Sequence, residues 1–154
     1  MLSLTTYTFF KFLHVLLAIV AVGFNASYGI WLGRAARQRD HEAFALHGVK
    51  FLDDRVANPA YGLLLVTGLV MVVVGDVSLT QFWLATALGL YVIAVLLGLL
   101  VYTPTLRDQI RLIEAGTGAT AEYAALARRG SIVGVVLAVD VVAIVFLMVT
   151  KPLL

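Results

Sequence analysis

The sequence has no cysteine and little charge. Without cysteine there are no structural disulfides, no thiolate metal sites, no iron–sulfur ligation and no covalent c-type haem attachment. Charged residues are only 13% of the 154. A soluble domain of this size carries about 25% on its wettable surface, so this composition argues against one. The net charge of +2 is too small and too scattered for a nucleic-acid footprint. No phosphate loop, catalytic triad, pair of general-acid carboxylates or zinc signature occurs.

What is there is apolar. Hydrophobic residues reach 62%, and the mean hydropathy is +1.00. Four apolar stretches stand out, at about 7–33, 59–75, 81–103 and 131–150. Each is near the ~20 residues that a helix needs to cross a hydrocarbon core of about 30 Å. Lipid offers no partner to an open backbone, so each stretch is expected to be a helix. Nothing alternates polar and apolar as a membrane barrel requires. Boundary residues agree with this division. Asn58-Pro59 supplies a cap and a first-turn proline. Pro104 is expected to end the third segment, Gly130-Ser131 to break the chain before the fourth, and Lys151-Pro152 to close it.

Nine of the eleven Lys and Arg lie in two loops. Arg34, Arg37, Arg39, Lys50 and Arg55 follow the first segment, and Arg107, Arg111, Arg128 and Arg129 follow the third. The turn 76–80 has no basic residue. Basic residues stay on the cytoplasmic side, so both long loops are expected inside and both termini outside a bacterial plasma membrane. A cleaved signal peptide ending near Ala26 would strand the five basic residues from Arg34 to Arg55 outside; the uncut reading violates nothing. Leu106, Ile110 and Ile113 recur at helical spacing, and Thr120 can cap a helix over 121–129. These loop helices are expected to meet anionic lipid headgroups. Lys50 can pair with Asp53 or Asp54. The expected fold is therefore all-α: one polytopic four-helix membrane domain over 1–154, with short interfacial helices in the two loops.

Only Lys11 and Asp140 carry charge within the apolar stretches. Ionisable groups inside a bilayer are costly and turn toward a bundle interior or a wet cavity. Asp140 lies about 15 Å below Thr150 at 1.5 Å per residue, too deep to snorkel out. Lys11, His14, Ala18, Ala21, Asn25 and Tyr28 recur at spacings of 3 and 4, a small and polar seam along one helix face. His14 sits about 10 Å in, close enough in depth to meet Asp140 if the first and fourth helices are neighbours. An Asp–His or Asp–Lys pair can fix helix register; the competing reading is a site for a proton, a metal, haem or a substrate. Asn25, Tyr28, Asn58 and Tyr61 are expected in the polar bundle interior. Tyr61, Gly68 and Gly75 recur at seven, as on a packing seam. Trp31 and Trp83 lie near segment ends, as interfacial anchors do. His41 and His47 are about 240° apart on a helix and read as solvated residues. His14 is the one intramembrane histidine, so one copy of the chain cannot give haem two axial histidines.

At FKFLHVLLAIVAVG and DVVAIVFLMVTKP the chain resembles small bacterial four-helix membrane proteins of unknown function, similar to the CopD-like superfamily. That superfamily includes the membrane domain of copper-resistance proteins and the HemJ-type protoporphyrinogen oxidases. In the HemJ group a first-helix histidine, three residues after a lysine, is implicated in haem binding. Lys11 and His14 match that pattern. The group also uses a third-helix lysine, and 81–103 has none. The resemblance implies a redox-associated protein binding haem b, a porphyrin or a metal through His14, with Lys11 and Asp140 as charged partners. Two further readings stay open. One is a proton-coupled transporter titrating at Asp140. The other is a non-catalytic subunit or assembly factor, as a homo-oligomer or within a larger membrane complex.

Overall fold

The structure, a computed structural model, describes residues 2–152. Most of these residues are helical, and no strand occurs among them. The helices are α1 (Leu2–Ala35), α2 (Glu42–Leu52), α3 (Asn58–Val74), α4 (Phe82–Leu97), α5 (Thr103–Glu114) and α6 (Ala121–Thr150). Four long apolar rods result: Thr5–Ala35, Glu42–Val74, Phe82–Glu114 and Ala121–Thr150. Each is long and apolar enough to cross a membrane, as the four stretches required.

The rods run past the apolar stretches because the loop helices join them end to end. A π-turn at Asp53–Ala57 links α2 to α3, and a second at Gly98–Tyr102 links α4 to α5. Both stand just before a proline. A proline inside a helix donates no N–H, and its ring strikes the carbonyl four residues back. Widening the preceding turn relieves that clash and lets the rod continue. Two expectations are corrected here. Pro104 does not end the third helix. Asn58 is not a cap: it is helical, at φ −61° and ψ −45°, and its side chain turns to Asp53.

Gly130 is corrected as well, for α6 runs unbroken through it. A Cβ there would lie 3.1 Å from Gln109 Nε2, so the glycine brings α5 close to α6 rather than breaking the chain. Thr120 does cap α6, accepting from the Tyr123 N–H at 3.3 Å. Gly116, at φ +74°, turns the chain after α5.

The bundle is two antiparallel pairs, α1 with α3 and α4 with α6. They join chiefly through α2 and α5 at the end rich in basic residues, and α1 meets α6 only over a short stretch. The apolar core lies at that basic end, around Tyr28, Leu46, Val49, Tyr102, Leu106 and Tyr123. A 33-residue rod is about 50 Å long against a hydrocarbon core of about 30 Å. Roughly 20 Å of the second and third rods therefore stands beyond the lipid tails as a helical cap. The large exposed side chains elsewhere, among them Ile19, Val73, Val142 and Val149, form the surface for acyl chains. Trp31 is exposed as an interfacial residue would be, but Trp83 is buried. Its Nε1–H donates to Gln81 Oε1 at 2.8 Å, and Lys151 Nζ stands 5.2 Å from its ring centre.

Candidate functional site

The polar seam of α1 packs against α3, and it holds two separate groups of polar side chains. The first is built on His14. Its Nδ1 lies 3.1 Å from Thr67 Oγ1. Thr67 in turn reaches the carbonyls of Leu63 and Leu64, at 2.9 and 3.0 Å. A hydroxyl has one hydrogen, and this one goes to the α3 backbone. With its hydrogen there, Thr67 Oγ1 accepts from the imidazole in the tautomer protonated at Nδ1. Nε2 then keeps its lone pair. Gly68 makes the fit possible: a Cβ there would stand 3.1 Å from His14 Cε1.

Asp140 comes from α6. No ion pair or hydrogen bond joins it to His14 or Lys11, and its Oδ2 is buried without a hydrogen-bond partner. Lys11 is exposed on α1. The helix that meets the α1 seam along its length is thus α3, not the fourth rod. The seam of α3 is the one its sevenfold spacing marks: Tyr61 meets Asn25, Gly68 meets His14, and Gly75 meets the Tyr7 ring.

The second group begins about 16 Å further along α1, at Asn25, eleven residues at 1.5 Å each. Asn25 Nδ2 donates to Tyr61 Oη at 3.0 Å and to the Ala21 carbonyl at 3.1 Å. Tyr91 Oη donates to the Tyr61 carbonyl at 2.9 Å, tying α4 to α3. Asn58 does not bond Asn25; its Nδ2 donates to Asp53 Oδ2 at 3.3 Å. Thr103 Oγ1 donates to the same oxygen at 3.4 Å. In an α-helix residues five apart lie about 140° apart around the axis. The π-turn is what swings Asn58 back over Asp53, and the second π-turn places Thr103 opposite. Tyr28, Tyr61 and Tyr102 all stand within electrostatic reach of Asp53.

A family model described as "Predicted integral membrane protein (DUF2269)" matches residues 8–152. The chain belongs to the DUF2269 family. No curated protein and no solved structure matches this DUF2269 chain. The protein is therefore an integral membrane protein of four apolar helices, and its chemistry must be read from its own residues.

Asp53 is the residue that sequence reasoning missed, placing it only as a partner for Lys50. Of the two partners that the spacing allowed, Lys50 Nζ pairs with Asp54. The signal was present in the spacing. Leu46, Val49, Asp53, Ala57 and Ala60 recur at 3, 4, 4 and 3, and all five are buried. A carboxylate on an otherwise apolar stripe points inward with it. His47, read as solvated, is exposed and pairs with the exposed Glu114 at 3.0 Å, a contact worth under about 1 kcal/mol.

Proposed function

We propose that this DUF2269 protein is a small redox-associated membrane protein that binds a porphyrin through His14. One observation carries the reading: His14 Nδ1 lies 3.1 Å from Thr67 Oγ1, and a proton donated there leaves the Nε2 lone pair free. Metal-bound histidines are held in this way, with one ring N–H donated to a neighbour and the other nitrogen on the metal. Among the described residues no group of three or more His, Cys, Asp or Glu is assembled to hold a bare metal ion. A porphyrin brings four nitrogens of its own and asks the chain for an axial donor alone, which suits a lone imidazole. The bound iron would supply one-electron chemistry. The chain's part is to orient that donor and to place charge beside it. Lys11, one helical turn from His14, is a partner for an anionic propionate. The resemblance of the two chain ends to CopD-like proteins favours the same reading. Both basic loops lie on the cytoplasmic side in this account, with their arginines against anionic headgroups.

The test is the absorption spectrum and metal content of the purified protein, before and after supply of haem b. The expected result is a haem spectrum in the wild type that is lost in His14→Ala and shifted in Thr67→Val. A wild type that takes up neither haem nor metal, or a His14→Ala variant that binds as well, rejects the reading.

A further inference from the structure

The Asp53 group lies outside the His14 site and does not depend on it. Asp53 is only 5% exposed, and it has no ion-pair partner, since Lys50 is taken by Asp54. Its two described donors, Asn58 and Thr103, are neutral and both reach Oδ2. Their distances of 3.3 and 3.4 Å are long beside an ordinary bond of about 2.9 Å. A buried carboxylate held this loosely, with Lys50 acting on it only from a distance, keeps part of its charge uncompensated, which is costly away from water.

The second observation is independent. Tyr28 is 2% exposed, and its Oη is buried with no hydrogen-bond partner. Buried hydroxyls are ordinarily satisfied, so this orphan, within electrostatic reach of the Asp53 carboxylate and in the buried cluster that Tyr102 shares, marks a place where something belongs.

We propose that Asp53 and Tyr28, with the Tyr61 and Tyr102 hydroxyls beside them, hold a small monovalent metal cation between the two π-turns. The donor set is all oxygen, which suits a hard cation. One carboxylate balances one positive charge; a divalent ion asks for more acidic ligands than the site has. A proton on Asp53 would neutralise the carboxylate but leave the Tyr28 oxygen unpartnered. A water would do the reverse. A cation answers both. Its place at the junction of α1, α3 and the α4–α5 rod means that binding it would lock the two helix pairs together at the basic end.

The experiment is thermal unfolding of the full chain in detergent or nanodiscs, titrated with sodium, potassium or choline chloride at one ionic strength. The expected result is a saturable rise in midpoint with sodium or potassium over choline. Asp53→Asn should abolish it, and Tyr28→Phe should raise the cation concentration needed by roughly tenfold, the worth of one lost ligand contact. Equal midpoints in all three salts, as a protonated or water-filled site would give, overturn the proposal. So does an Asp53→Asn variant that keeps the rise. If Asp53→Asn does not fold, an unchanged cation response in Tyr28→Phe overturns it instead.

Discussion

Gly68 and Gly48 look alike in sequence and differ in what surrounds them. A methyl at Gly68 would press on the His14 ring at 3.1 Å, while a methyl at Gly48 meets nothing within 4 Å. Gly68→Ala is expected to destabilise the protein by about 1–3 kcal/mol through overpacking and to weaken whatever His14 binds. Gly48→Ala, in the middle of α2, is expected to stabilise it by about 0.5–1 kcal/mol through backbone entropy. Reversible unfolding in detergent checks both, and the opposite order would refute the packing described for the α1–α3 seam. At this scale the sequence was partly readable. The 3 and 4 spacing of His14, Ala21, Asn25 and Tyr28 marks one face, because helix geometry alone fixes which side chains align. It does not fix the facing helix. Thr67 was invisible, since one threonine in an apolar run looks like filler until an imidazole is seen against it. Asp53 was hidden by its neighbours Lys50, Asp54 and Arg55, whose charges made the whole segment look solvated.

At the level of the helix, the two π-turns separate the observed rods from the expected ones. Proline was read as a terminator because the residue before it resists the helical region in isolation. Asn58 and Thr103 nevertheless sit at ψ −45°, held there by packing and by the widened turn. Pro104→Ala restores the missing N–H and removes the ring that strikes the Leu100 carbonyl. The expected outcome is that 98–102 tightens toward an ordinary helix, with slower amide exchange across 100–105 by hydrogen-exchange mass spectrometry. Unchanged exchange would mean that the Asp53–Thr103 contact, rather than proline, holds the turn open. The loop helices were foreseen as helices because Leu106, Ile110 and Ile113 repeat at helical spacing. Their continuity with the spans was not, since local pattern says nothing of whether a proline is passed or obeyed.

For the molecule as a whole, length and hydropathy were enough to foresee four membrane helices, because lipid leaves the backbone no other closed arrangement. Pairing was beyond the sequence: every helix has an apolar surface, and only small or polar contacts choose α3 for α1 and α6 for α4. The absence of cysteine makes sidedness simple to read. In intact bacterial cells, Leu79→Cys in the uncharged turn is expected to react with an impermeant maleimide, and Ala119→Cys in the second basic loop only after permeabilisation. The reverse pattern would overturn the orientation drawn from the basic loops. What such a membrane protein does rests in this account on one nitrogen. Nitrogen NMR of the cofactor-free protein, labelled at histidine, reads its state directly. The account predicts a neutral His14 ring protonated at Nδ1 with Nε2 bare; a proton found on Nε2 would contradict it.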